Sequence, residues 1–276
     1  MPPMLTRLRA RVLRLGIIAL ALPPAPDGVA EIDRRPPPHG NPAAVSVAAA
    51  ANLVHVLDAL RVEFKRVAPD IAVTTATGAS GSLYAQIKNG APFDVFLSAD
   101  TDFPRQAVAG GLAEGATLRT FATGRLVLWT TRADLELEDI AAVVRNPRVG
   151  KIAIAQPKTA PYGRAAQAAL EQLGAWQDAQ PKLVVGESIT QTAQFVETGN
   201  AEAGFVALSL VISPALAKKG HWMEVPPARY ASVSLEHTAV LTRRGAVNPA
   251  ARQYLDFLTR PAAQKILRDH GYAVIR

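Results

Sequence analysis

Four times in this 276-residue chain a short apolar strand runs into a small, polar turn that opens an amphipathic helix, and none of the four turns holds a lysine or arginine. The turns are AAAANL at 48–53, GASGSL at 78–83, TAPYG at 159–163 and GESITQ at 186–191; Arg164 lies already inside the third helix. A helix start leaves backbone N–H groups without intrahelical acceptors and carries roughly half a positive elementary charge from its aligned peptide dipoles. Converging helix starts can therefore hold an anion with no side-chain cation.

The segments between the turns read as alternating strands and helices. Strand 44–49 precedes a helix whose apolar Leu53, Val56, Leu57, Leu60 and Phe64 fall at helical spacing. Strand 71–75 leads into a helix at 83–88 that Asn89 and Gly90 end, and FDVFLSAD at 93–100 is a buried strand. After GRLVLWTT at 124–131 the pattern repeats. Strand 151–155 meets a helix with Ala166, Ala169, Leu170 and Leu173 on one face, stopped by Gly174; strand 182–186 meets the helix 189–198, stopped by Gly199 and Asn200; GFVALS at 204–209 follows. A further strand at 234–243 and a helical segment at 249–270 close the chain. This alternation implies an α/β protein with mostly parallel sheets, whose ligands bind beyond the carboxyl ends of strands, where the four turns lie.

Residues 1–30 are set apart. Arg7, Arg9, Arg11 and Arg14 precede the apolar run 15–22 and the small residues Gly28, Val29 and Ala30, the pattern of a cleaved export signal. The run is too short to span a bilayer, which needs about twenty apolar residues. The proline- and charge-rich stretch 31–43 reads as a disordered linker. The chain has no cysteine, which excludes disulfides, thiolate zinc sites, a cysteine nucleophile and a lipid-bearing cysteine. The expected mature protein is periplasmic and not lipidated. The formal charge of +7 shrinks to +4 once the net +3 of residues 1–30 is set aside, and no basic run or interleaved aromatic pattern marks a nucleic-acid surface.

AAAANL with its helix, GASGSLYAQIKNGAPFDVFLSAD at 78–100, the Pro161–Tyr162–Gly163 turn, LGAW at 173–176, the ESITQ turn and GFVALS resemble, in that order, the periplasmic molybdate-binding proteins of ABC transporters. The resemblance spans about residues 44–276. It implies a two-lobed type II periplasmic binding protein, each lobe a mostly parallel sheet flanked by helices, with the ligand cleft between lobes. Lobe 1 is then 44–124 and 235–276, and lobe 2 is 125–234. It further implies a monomer that binds molybdate or tungstate, partners ABC permease subunits of the inner membrane, needs no cofactor and is not an enzyme. The metal arrives as its oxyanion, with no direct protein–metal ligand. By position, Ala51 and Asn52, Ser80, Tyr162 and Ile189 are implied as its contacts. Many relatives carry tyrosine where this chain has Ala207 and serine where it has Asn52; a subgroup carries the tyrosine in the third turn, as Tyr162 does here.

On chemical grounds, Asn52 can cap its helix while its amide or backbone N–H meets the ligand. Ser80, between small neighbours, offers a hydroxyl and an approachable backbone. Tyr162 follows a proline suited to the first helical position, and Ile189 can offer only its backbone N–H. A cage of donors alone disfavours a ligand that carries a proton, with Glu187 the one nearby acceptor in sequence. Two rival functions remain: a binding protein for sulfate or another oxyanion, and a serine hydrolase built on Ser80. For the latter, the nucleophile-elbow pattern lacks its second glycine at Ser82, and His237 or His55 would have to serve as base.

Overall fold

The computed structural model describes residues 43–274. The expected signal at 1–30 and all but the last residue of the expected linker lie outside them; Ala43 itself already belongs to the first strand.

The chain builds two five-stranded sheets. The first half runs β1 (Ala43–Ala50), α1 (Val54–Val67), β2 (Ile71–Gly78), α2 (Ser80–Lys88), β3 (Val95–Ser98), α3 (Asp102–Ala109) and β4 (Arg119–Thr123). The chain then crosses over into β5 (Leu126–Thr130), α4 (Ile140–Arg145), β6 (Ile152–Ala155), α5 (Pro161–Gln172), α6 (Trp176–Ala179), β7 (Leu183–Gly186), α7 (Ile189–Glu197), β8 (Ala203–Ala207), α8 (Leu208–Val211) and β9 (His221–Glu224). It returns through β10 (Glu236–Leu241), α9 (Arg243–Ala246), α10 (Pro249–Phe257) and α11 (Pro261–Asp269).

The sheet orders are β2-β1-β3-β10-β4 and β7-β6-β8-β5-β9. In each, the two ladders on the β1 or β6 side are parallel, and the two around the crossover strand, β10 or β5, are antiparallel. Four strands of each sheet therefore point one way and the strand arriving from the other lobe runs against them. Two segments connect the sheets: Gly124 and Arg125 link β4 to β5, and residues 225–235 link β9 to β10.

Local sequence explains most element limits. Val56, Leu57, Leu60 and Phe64 of α1 are all buried, as their spacing requires, and each contributes about 1.5–3 kcal/mol of hydrophobic burial. Gly174 and Gly199 end their helices with φ of +63° and +73°, a conformation other residues rarely adopt. The C-terminal segment is two helices, not one, because Pro261 has no N–H to continue a helix and instead starts α11 at its first position. It packs on the first lobe: the Phe64 ring of α1 lies 5.0 Å from Tyr254 and 5.2 Å from Phe257 of α10. Helix α3 buries Phe103 and Ala107 on one face, and α4 is capped by Asp139, whose side chain accepts Ala142 N–H; strands β4 and β9 are the edge strands that complete the two sheets.

Candidate functional site

The four turns meet in pairs across the lobe boundary. Thr190 Oγ1, in the fourth turn, donates to the Ala51 carbonyl of the first at 3.2 Å. Gly81 N–H, in the second turn, donates to the Thr159 carbonyl of the third at 2.8 Å. Gly81 is required for that approach, since a β-carbon there would lie 2.7 Å from the Phe103 ring and 2.9 Å from Thr159 Cα. At the mouth, grooves of about 430 Å³ and 360 Å³ are lined by the first, second and fourth turns and by the second, third and fourth. No lysine or arginine lines either groove. Their one acid is Glu187, which is exposed and gives its N–H to Gln191 Oε1.

All five expected contact residues are buried at this junction. Ser80 is the first residue of α2, so its N–H has no intrahelical acceptor. Its hydroxyl oxygen accepts Ala99 N–H at 3.0 Å, which leaves the hydroxyl hydrogen to be donated elsewhere. Pro161 occupies the first position of α5, as expected, and places Tyr162 at the second. Tyr162 thereby has an uncommitted N–H, and its hydroxyl, 2% exposed as a residue, has no partner. Burial holds that phenol well above the usual tyrosine range, so it stays protonated and remains a donor. Ile189 opens α7, where Ser188 caps by accepting Gln191 N–H; the Ile189 side chain is buried in the core and only its N–H is free.

Asn52 departs from expectation. It sits in a 3₁₀ turn, Ala51–Leu53, and its side chain caps no helix N–H. Its Nδ2 lies 2.7 Å from His237 Nε2 and donates to the Tyr272 hydroxyl at 2.9 Å. The ring chemistry fixes this arrangement. His237 Nδ1 is 3.0 Å from the Leu235 carbonyl, which only accepts, so Nδ1 carries the proton. Complete burial lowers the imidazole to about 4, so the ring is neutral and Nε2 must accept from Asn52. Both amide hydrogens are thus consumed inside the protein. Asn52 keeps only its backbone N–H for a ligand; its carbonyl accepts the Tyr272 hydroxyl at 2.9 Å and Ser209 Oγ at 3.1 Å. Tyr272, Ser209 and Thr190 are residues that sequence reasoning missed, and it considered His237 only as a hydrolase base. Each is a single polar residue far along the chain from the turn that it touches.

The nearest cation of the helix starts is neutralised. Arg164, two residues beyond Tyr162, reaches across the boundary to Asp100 at 2.5 Å and Asp102 at 3.3 Å, and its guanidinium lies 5.4 Å from the Phe103 ring centre. Asp100 is 1% exposed, and its carboxyl is raised above the ordinary value chiefly by burial, against the lowering effects of Ser98 and Arg164. The serine-hydrolase reading finds no support in this geometry. Among the described residues no imidazole hydrogen-bonds Ser80, and His237 is committed to Asn52 and Leu235. Nor is any described helix long and apolar enough to cross a membrane.

The profile of one family, bacterial extracellular solute-binding protein, matches residues 45–273. The chain is 46% identical over 202 residues to the molybdate-binding protein ModA of Rhodobacter capsulatus, covering 72% of this chain and 77% of that one. It is 39% identical over 232 residues to ModA of Azotobacter vinelandii, covering 84% and 90%. The solved structure of the Azotobacter vinelandii periplasmic molybdate-binding protein superposes with a TM-score of 0.78 and 32% identity, over 84% of this chain and 100% of that one.

Proposed function

This chain belongs to the family of bacterial extracellular solute-binding proteins, and we propose that it captures molybdate, or tungstate, in the periplasm and delivers it to an ABC permease for import. The observation that carries this reading is the pairwise meeting of four cation-free helix starts, two from each lobe. The relatives at 39–46% identity are named for molybdate binding and support the choice of anion.

The donors are the backbone N–H groups of Ala51, Asn52, Ser80, Tyr162 and Ile189, with the hydroxyls of Ser80 and Tyr162. Each hydrogen bond to a charged group contributes roughly 1.5–3 kcal/mol, so seven such donors can offset removal of a dianion from water. Because every donor is neutral, the charge is met by spread dipoles rather than by an ion pair that would have to be desolvated as well. Tyr162 replaces the tyrosine that many relatives carry at the Ala207 position. Ala207 pairs with Leu126 at the start of β5, and the Tyr162 hydroxyl lies over Gly124 two residues earlier, so both positions face the same connecting segment.

A cage of donors rejects protonated phosphate, whose O–H would find no acceptor, and its width rejects sulfate by leaving some donors unpaired. Binding closes the lobes about residues 124–125 and 225–235, and the monomer in that form is what the permease reads. The test is calorimetry on the signal-free protein with molybdate, tungstate, sulfate and phosphate in competition. Heat and tight binding with the first two alone is the expected result. No heat with molybdate or tungstate overturns the proposal.

A further inference from the structure

We propose that His237 is a positioning residue for anion capture: through Asn52 it fixes the first contact turn and ties that turn to both lobe-connecting segments. The inference rests on the oxyanion-binding reading above and adds to it a residue that touches no ligand.

The imidazole stands where the connections meet. Its Nδ1 donates to the Leu235 carbonyl, which also accepts Gly124 N–H at 2.9 Å, so one carbonyl of the second connection binds both the ring and the first connection. Its Nε2 takes one hydrogen of the Asn52 amide and Tyr272 takes the other, returning its own hydroxyl hydrogen to the Asn52 carbonyl. Ser209, at the first turn of α8 in the second lobe, holds the same carbonyl. Asn52 is therefore gripped from β10, from the C-terminal segment and from the opposite lobe. The two hydrogen bonds hold the amide in one orientation, with both its hydrogens turned to His237 and Tyr272 and its Oδ1 buried without a partner.

The grip depends on an uncharged ring, because an imidazolium has no lone pair for the Asn52 amide. The groups around it are Asn52, Gly124, Phe121 on β4 at 6.0 Å, Tyr162 on α5 at 6.3 Å and Tyr272 at 5.2 Å between ring centres. The titratable ones are the two phenols, which burial keeps protonated. A neutral acceptor at this point thus sets the turn without adding charge beside the cage.

The test compares wild type, His237→Phe, His237→Gln and Tyr272→Phe by molybdate calorimetry at pH 7, together with ligand-free melting. His237→Phe is expected to weaken binding tenfold or more, and His237→Gln, which keeps an acceptor for Asn52, to recover most of that loss. A merely structural role would instead lower melting in both variants alike and leave the affinity of the folded protein unchanged. Folded His237→Phe binding within twofold of wild type overturns the proposal. If that variant does not fold, Tyr272→Phe carries the test, with at least fivefold weakening expected and wild-type affinity overturning it. Independently of any anion, nitrogen NMR of the ligand-free wild type should find His237 neutral and protonated on Nδ1 at pH 7; the other tautomer or an imidazolium overturns the link. Absence of molybdate heat in wild type refutes the oxyanion reading instead, and the NMR result still decides the His237–Asn52 contact.

Discussion

A β-carbon on Gly124 would lie 2.0 Å from the Tyr162 hydroxyl, so the first lobe-connecting segment and the start of α5 fit together with no room for a side chain. Gly124 has no left-handed backbone, and the requirement is one of space alone. Gly124→Ala should therefore displace the phenol and, beside it, the His237 ring, whose Cε1 would lie 2.8 Å from the new β-carbon. Calorimetry is expected to show at least tenfold weaker molybdate binding, and unchanged affinity would remove Tyr162 from the cage.

Tyr162→Phe separates the hydroxyl from the ring. Loss of one hydrogen bond to an anion corresponds to roughly ten- to hundredfold in affinity. The ligand-free protein should melt at the same temperature or higher, since the variant deletes a buried hydroxyl that has no partner. A variant that binds normally but melts lower would assign Tyr162 a packing role only.

Ile189 tests whether a backbone donor can be removed alone. It is the first residue of α7, where proline is tolerated, and Ser188 before it has φ −139° and ψ 165°, the extended conformation that proline demands of its predecessor. Ile189→Pro should keep the helix, as read by circular dichroism, and weaken binding tenfold or more. Ile189→Val, which keeps the N–H, should bind within about twofold of wild type and lose about 1 kcal/mol of stability.

Arg164 and Asp100 form an ion pair between the two sheets' segments, since one stands on α5 and the other after β3. Removing the arginine leaves a buried carboxylate without its cation, and opening the lobes is the way to rehydrate it. Arg164→Ala is thus expected to enlarge the ligand-free radius of gyration in solution scattering and to weaken binding. Adding Asp100→Asn should reverse both effects; failure of that rescue would show the pair to be incidental.

Acid stability follows from His237. Its folded-state value of about 4 lies below the ordinary 6.5, so the unfolded chain binds the proton more readily. The stability it contributes is complete above 6.5 and is lost as pH falls toward 4, with a slope approaching about 1.4 kcal/mol per pH unit. Asp100 is shifted the other way, raised above 3.8, so its contribution is present below that value and declines as pH rises through the folded-state value. Urea melts of wild type and His237→Gln between pH 4.5 and 7 should diverge as pH rises, wild type gaining more. Parallel curves would show the ring to be solvated.

Much of the local structure at the candidate site is legible in sequence, because helix starts are written locally. Pro161 at the first position of α5, the Ser80 turn beside small residues and Ile189 behind its serine cap all stand where their immediate sequence puts them. Asn52 was misread for the opposite reason. Its residue type favours capping, but its partners are 185 and 220 residues away, and two distant acceptors outweighed the local preference. The break at Pro261 is written locally as well, although the apolar spacing on either side of it is nearly continuous.

Sequence alone determined the alternation of strands and helices and the neutrality of the four turns, because each depends on a few adjacent residues and on backbone chemistry that is the same everywhere. Only the tertiary structure decided which turns face which, that Ala51 meets Thr190 while Gly81 meets Thr159, and that His237 and Tyr272 claim the Asn52 amide. Those contacts arise when two sheets, each completed by a strand from the other half of the chain, bring distant segments together. Their geometry is set by packing across the lobes, which no local pattern encodes.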